Sequence, residues 1–394
     1  MKILHTADWH IGQTLRNYDR EDEQRHFIAA ITRILAEETP DAMVVCGDVF
    51  HSALPTIGAQ QLLVDALAQM HDASPLTRII IIAGNHDSGS RLEIHRQLWR
   101  SLNVHIIGRC DPERSIIALP DGKGTVIAVP YVNRVQFADN DSDSAPAQKL
   151  HALFGSLLRS VEGSEAPVVL CAHLALQTSA KVAVSDDTNP RHTEVTGGLE
   201  VRELSSVPDG YDYLALGHIH FPHSLSERAA YSGSPMPMTF DEDNPHYVNI
   251  VEIASRGAVP EIRRVAIAPL RGVRTLKADS VDEALAGLAA GPDDCTDYVR
   301  SVIDTADLLP ADIDDRARRA VAGKQCRFCG CSLKPRSAPT VAADDTEMEI
   351  EEFLRIDPLD VARRYFKDEQ VEDAESLLNL LSGVIDSLRT EPEK

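Results

Sequence analysis

Five short motifs each set carboxylates, imidazoles or an amide oxygen just past an apolar run: Asp8-Trp9-His10, Gly47-Asp48, Gly84-Asn85-His86-Asp87, His173 and Gly217-His218-Ile219-His220. Mixed His, Asp and Asn donors suit Mn²⁺, Fe²⁺ or Zn²⁺ better than Ca²⁺. A two-metal phosphoester-cleaving centre needs this mixture. One carboxylate must bridge two cations roughly 3.5–4 Å apart, and imidazoles and oxygens must fill the remaining positions. Asp48 is the natural bridge, and Asn85 offers a neutral carbonyl oxygen. His86 is placed to face substrate as an acid or a charge stabiliser. Asp8 and His10 lie two apart, so on an extended strand end both point the same way. His218 and His220 do the same if extended; at a tight turn, one of the pair would serve each metal. Singly, such residues mean little, since an Asp after a strand is usually a turn former or cap. A lone His173 is ordinarily a hydrogen-bonded core residue. Their joint recurrence at strand ends carries the metal reading.

The elements that must position them follow from hydropathy. Residues 2–7 form a strand ending at Asp8. Phe27, Ile28, Ile31, Ile34 and Leu35 recur at helical spacing, predicting an amphipathic helix over about 21–38. Ala42 to Cys46 is a strand leading to Gly47-Asp48, and Leu63, Ala66, Leu67 and Met70 mark a second helix. Arg78 to Ala83 carries four consecutive isoleucines and ends at the third motif. Near-continuous apolar strands alternating with helices predict an α/β layer fold, in which ligands bind beyond the carboxyl ends of the strands. Short strands at 104–107, 116–119 and 125–129 suggest a more antiparallel region. A helix near 148–161 leads to the strand 168–171 that delivers His173, and 213–216 delivers His218 and His220. Beyond about residue 245 the ligand-rich motifs stop. Strands at 247–253, 261–267 and 298–303 with a helix at 281–288 read as a small α+β domain over 246–335. An acidic linker covers 336–350, and two helical patterns fill 351–394.

Composition narrows the class. The chain has 394 residues, 43% hydrophobic and 25% charged, which fits a soluble globular protein of more than one unit. No stretch is long and apolar enough for a membrane helix, and the N-terminus runs straight into a strand, so the cytoplasm is the expected location. Seven cysteines at uneven spacing fit reduced thiols rather than a disulfide framework. Cys326, Cys329 and Cys331 cluster without a second pair, so ordinary thiols are expected there and not a structural zinc. Neither Gly122-Lys123-Gly124-Thr125 nor Gly323-Lys324-Gln325 satisfies a phosphate-binding P-loop, so an ATPase is not expected in this chain. The net charge of -22 disfavours unaided nucleic-acid binding and asks for a local basic track, bound cations or a basic partner.

The motifs resemble those of the calcineurin-like metallophosphoesterase superfamily: D-x-H, G-D, G-N-H followed by D or E, a lone H, and G-H-x-H. Longer phrases narrow the likeness to its double-strand-break repair nucleases: Leu4-His5-Thr6-Ala7-Asp8-Trp9-His10-Ile11-Gly12, Gly47-Asp48-Val49-Phe50, Ala215-Leu216-Gly217-His218-Ile219-His220 and Tyr231-Ser232-Gly233-Ser234-Pro235-Met236-Pro237. The likeness is strong over about residues 1–245 and only an outline over 246–394. It implies a β-sandwich flanked by helices over 1–245, a DNA-recognising capping domain over 246–335, and C-terminal helices that dock a partner. It implies one metal on Asp8, His10, Asp48 and His220, and a second on Asp48, Asn85, His173 and His218, with His86 assisting the leaving group. Mn²⁺ is the implied ion, with Mg²⁺ as the substitute. His51 matches a histidine that some members carry after G-D-x-F.

The implied activity is exonuclease action on duplex DNA and endonuclease action on hairpins and single strands. A coiled-coil ATPase of the SbcC type is the implied partner, in a heterotetramer built on a homodimer of this chain. Arg16, Asn17, Tyr18 and Arg20 after the first motif and Arg91 after the third are expected to rim the site and touch the DNA backbone. The alternative is a small-molecule or cyclic-nucleotide phosphoesterase on the same centre; the added 246–335 domain and helical tail argue against it.

Overall fold

The chain was described from a computed structural model. It describes residues 1–132, 146–178, 202–242, 244–305 and 308–334, and within 335–394 Leu359, Arg363, Phe366, Glu375, Leu377, Leu378, Leu380, Leu381 and Ser382. Residues 1–334 form one compact unit and 335–394 a second. The described residues of the second unit are helical. The linker expected at 336–350, and most of the tail expected to dock a partner, lie outside the described residues.

Two six-stranded sheets stack face to face in the first unit. The first is built from β1 (Lys2–Thr6), α1 (Glu21–Glu38), β2 (Ala42–Cys46), α2 (Ile57–Ala73), β3 (Arg78–Ile82), α3 (Arg96–Ser101) and β4 (Val104–Ile107). These four strands run parallel in the order β1-β2-β3-β4. The second sheet uses β5 (Ile116–Ala118), β6 (Thr125–Val129), α4 (Pro146–Arg159), β7 (Val168–His173), β8 (Tyr213–Gly217), β9 (His223–Ser226) and β10 (Ala229–Tyr231). Its order is β9-β10-β8-β7-β6-β5, parallel from β10 through β6. The antiparallel character expected at 104–129 is confined to β5 against β6, because β4 extends the parallel sheet and α4 is the crossover that makes β6 and β7 parallel.

Strand alternation separates three apolar layers. Leu4, Met43, Val45, Ile79 and Ile81 face α1 and α2, including Phe27, Ile31, Leu63 and Leu67. Ile3, Val44, Cys46, Ile80 and Ile82 face Val126, Val169, Cys171 and Ala215 between the sheets. Ile127, Leu170, Leu214 and Leu216 face Phe154 and Leu157 of α4. A buried side chain of this size contributes about 1.5–3 kcal/mol, so the isoleucine run of β3 anchors two layers at once. This α/β/β/α stack is the predicted sandwich flanked by helices.

The boundary expected at 245/246 falls inside the first sheet. β11 (His246–Glu252) pairs antiparallel with β1, and β12 (Glu261–Ile267) pairs with β11. Val248 and Ile250 complete the α1 layer and Val251 the inter-sheet layer, so these strands are held by the sandwich. The separate small sheet is β13 (Val273–Ala278), β14 (Tyr298–Ile303) and β15 (Arg327–Leu333), all parallel, with α5 (Val281–Ala290) and α6 (Ile313–Ala320) as crossovers. β13, α6 and β15 were not expected from the sequence. Cys326, Cys329 and Cys331 lie at and along β15 as free thiols, Cys326 and Cys331 against one apolar cluster and Cys329 in another. They form no metal-grade group among the described residues.

Candidate metal centre

The five motifs meet at the carboxyl ends of β1, β2, β3, β7 and β8. The extended geometry expected for Asp8 and His10 is not what places them: β1 stops at Thr6, and both residues are left-handed, with φ of 55° and 44°. Asp48 (φ 49°) and His218 (φ 99°) share that conformation. Each such non-glycine residue costs on the order of 1–3 kcal/mol and persists only where surroundings over-determine it. Here they do. The Asp8 and His10 amides donate to the Gly47 and Asp48 carbonyls at 3.0 and 2.9 Å, and Ile11 N–H donates to the Val49 carbonyl. His218 N–H donates to the Asp8 carboxylate at 3.0 Å, and His86 N–H to Asp48 Oδ1 at 2.9 Å. The carboxylates thus tie the motifs to one another. Gly84 is required by close approach, since a Cβ there would collide with Asp48 Oδ1.

Two donor groups that include a carboxylate result, beside a third of His10, His51 and His86 at the mouth. Asp8, His10 and His220 converge on one side, and Asp48, His173 and His218 on the other. His10 Nε2 and His220 Nε2 are 3.2 Å apart. Asp48 Oδ2 lies between the groups, 3.6 Å from His10 Nε2 and 3.4 Å from His173 Nε2. Asn85 Oδ1 sits 2.9 Å from His173 Nε2 and 3.0 Å from His218 Nδ1. The turn reading of the last motif is the one realised: His218 and His220 point to opposite groups. Nitrogens and oxygens this close, with few protons to share, fit cation binding. The ring edges behind them support it too. His173 Nδ1 donates to the Cys46 carbonyl (2.8 Å) and His220 Nδ1 faces the Glu242 carboxylate (3.2 Å), leaving each Nε2 for the centre.

The electrostatics repeat the pattern. Burial pushes the Asp8 carboxyl up to about 6, against the pull of His173 and His220. Burial works against Asp48 ionising as well, yet His173 and His10 hold it well below the usual carboxylate range. His173 is raised to about 9: burial opposes the charge, but Asp48, Asp8 and the Cys46 carbonyl outweigh it. His220 is likewise raised to about 9, its burial outweighed by Glu242 and the two aspartates. Burial and the neighbouring imidazoles lower His218 to about 4 and also lower His10. Alternate histidines therefore hold protons where a cation would otherwise neutralise the carboxylates.

His86 and His51 stand at the mouth, rings stacked at 5.6 Å, with His86 Nδ1 donating to the His51 carbonyl at 2.9 Å. His86 lies 4.9 Å from the His10 ring. Arg16 and Asn17 are exposed at the two-residue turn of a hairpin, with φ of 50° and 70°, and Arg91 is exposed on a short turn of helix after the third motif. Arg20 is not a rim residue. Its side chain is fully buried, with Nε and Nη2 on Glu23 and Nη1 on Gln13, which leaves no donor edge for a phosphate. Tyr18 is half-buried, its hydroxyl donating to the Phe328 carbonyl.

Two functional positions were missed. Glu242 backs His220 and comes from a segment read only as a family phrase and its continuation. Asp87, within the third motif, accepts from the amides of Val49, Phe50 and Gly84 and so clamps the second motif to the third. Burial and Asp48 raise its carboxyl to about 6.

Comparison with known proteins agrees with this geometry. Residues 1–222 match the family model of the calcineurin-like phosphoesterases. The chain is 34% identical to the SbcD component of nuclease SbcCD from Rhodobacter capsulatus, over 66% of this chain and 68% of that one. It is 31% identical to the corresponding component from Bacillus subtilis, over 61% and 63%, and 26% identical to that of Escherichia coli K12, over 71% of each. The chain belongs to the calcineurin-like phosphoesterase family, in the branch of the SbcD components of the SbcCD nucleases.

Proposed function

We propose that this chain is a hydrolase that cleaves DNA phosphodiester bonds, as exonuclease on duplex ends and endonuclease on hairpins and single strands, in repair and recombination. The observation that carries it is Asp48 standing between two convergent donor groups at the strand ends. Asp8, His10, Asp48 and His220 would hold one divalent ion, and Asp48, Asn85, His173 and His218 the other, with Mn²⁺ the preferred species and Mg²⁺ the substitute. Bound there, the ions supply charge neutralisation on the phosphodiester and a lowered pKa for the attacking water. The protein contributes orientation: the Cys46 carbonyl and Glu242 fix the His173 and His220 rings. His86 keeps its Nδ1 on the His51 carbonyl, which leaves Nε2 to donate a proton or hydrogen bond to the leaving oxygen. Arg16, Asn17, His51 and Arg91 would meet the phosphate backbone. The assay is Mn²⁺-dependent digestion of labelled duplex and hairpin DNA, alone and with the ATPase. Turnover of cyclic nucleotides without any cleavage of DNA would overturn the reading.

The partners follow the same reading. An SbcC-type coiled-coil ATPase would dock on 351–394, where Leu377 and Leu380 are exposed on helix. Deleting that segment should abolish pull-down of the ATPase and spare metal binding. Self-association is supported by Leu54 and Ile57 at the start of α2, and by Ile94 and Leu98 at the start of α3. All four are at least 65% exposed, Ile57 and Leu98 on the helices and Leu54 and Ile94 in the loops just before them, and both helices cover the same face of the first sheet. Ile57→Asp with Leu98→Asp should give a monomer in sedimentation. The unpaired cysteines accord with action in the cytoplasm.

A further inference from the structure

We infer that the small three-stranded sheet positions one half of the metal centre, the His10–His220 half, through Tyr298 and Arg300 of β14. The inference rests on the two-metal reading above. Tyr298 is fully buried, and its hydroxyl donates to Glu23 Oε2 and accepts from Arg327 Nη1, both at 2.5 Å. Glu23 forms a two-point ion pair with Arg20, at 3.1 and 2.7 Å. Arg20 Nη1 donates to Gln13 Oε1 at 2.7 Å. Gln13 then reaches both loops of this half. Its backbone N–H donates to the His10 carbonyl at 3.0 Å, and its side-chain Nε2 to the Met238 carbonyl at 3.1 Å. Met238 N–H donates to Glu242 Oε2 at 2.9 Å, and Glu242 Oε1 faces His220 Nδ1 at 3.2 Å.

Arg300 grips the second loop directly. Its Nη2 donates to Asp241 Oδ1 at 2.7 Å and its guanidinium lies 4.9 Å from the centre of the Phe240 ring. Phe240 packs in turn on Tyr298 and Cys329, with Leu15 and Tyr18 of the hairpin after the first motif. One strand therefore fixes the loop that carries His10 and the loop that backs His220. The other half is held differently. His173 leans on the Cys46 carbonyl at the end of β2, Asn85 bonds His173 and His218, and Asp48 receives the His86 amide. Those partners all belong to the two stacked sheets and the loops at their ends. A buried ion pair such as Arg20–Glu23 is a weak stabiliser because desolvation offsets its attraction. Its place at the junction of two ligand loops gives it a positioning task instead.

The test is Mn²⁺ titration calorimetry with low-temperature electron paramagnetic resonance on the full-length chain. The native protein should bind two ions and give the signal of a coupled pair. Tyr298→Phe keeps the ring and removes the hydroxyl; Arg300→Ala removes the grip on Asp241 from a more exposed position. Each should weaken one ion by about tenfold or more, the range for groups that orient ligands, and leave the other unchanged. At one equivalent of Mn²⁺ the uncoupled signal should then dominate. Arg318→Ala, on the outer side of α6, should change neither ion. Equal weakening of both ions, or none in either variant, overturns the inference. If Tyr298→Phe fails to fold, Arg300→Ala decides alone. Failure of the native chain to bind a pair is a different result and overturns the two-metal reading itself.

Discussion

The two halves of the candidate metal centre use similar donors but different supports. Asp48, Asn85, His173 and His218 hang from strand ends inside the stack, where hydrogen-bonded ladders leave little freedom. His10 and His220 depend in part on loops backed by Gln13 and Glu242, which the small sheet grips from outside. Because the partners behind metal ligands tune a site as well as the ligands do, this difference in support should make the two halves differ in strength. A half built on strands is preset by folding of the sandwich. A half built on loops can be tuned from a neighbouring sheet.

Substitutions can break or sharpen that contrast. Asp48→Ala removes the residue common to both halves, so the two ions and all DNA cleavage should be lost together. Mn²⁺ should then no longer raise the melting temperature, because a ligand stabilises only the state that binds it. His86→Ala keeps the backbone N–H on Asp48 and removes only a ring assigned to neither ion; both ions should stay bound while the rate falls by about 10²–10⁴-fold. Loss of metal in that variant would refute its assigned role.

Acidity should act on both halves at once. The native imidazoles of His173 and His220, each raised to about 9, hold protons throughout the neutral range. A cation has to displace them, so affinity rises with pH toward 9 and falls on acidification, by about tenfold per pH unit for each proton displaced. Calorimetry in two buffers of different ionisation enthalpy counts those protons; a count of zero would contradict the assignment. Glu242→Gln keeps the shape behind His220 and removes the charge. It should weaken one ion by about 10- to 100-fold and spare the other. Arg16→Ala and Arg91→Ala should be mildest, lowering DNA binding a few-fold and reducing its salt dependence by about one phosphate contact each.

Much of the sandwich was legible because its strands are buried on both faces and write themselves as apolar runs. The helix over 21–38 was legible from the spacing of Phe27, Ile31 and Leu35. Arg20 was misread as a rim residue because its type suggests phosphate, while its burial against Glu23 depends on a sheet far along the chain. The capping boundary was misread for a related reason. The strand at 246–252 carries no local sign that its partner is β1, some 250 residues earlier. Small-sheet elements such as α6 were hidden by their polarity, with only Ile313 and Ala317 buried.

The sequence by itself determined the candidate donors and pointed to the phosphoester as the bond, because residue type and position at a strand end are local properties. It also determined the layered body, through the two-residue alternation of its strands. Only the tertiary structure decided which donors face each other, because that depends on the left-handed turns at Asp8, His10, Asp48 and His218 and on ladders between distant strands. It alone showed that His218 and His220 part to opposite sides, that Glu242 and Asp87 stand behind the centre, and that Tyr298 reaches the first-motif loop through a buried ion pair. Such contacts join residues up to 275 positions apart, and no local pattern encodes a partner at that distance.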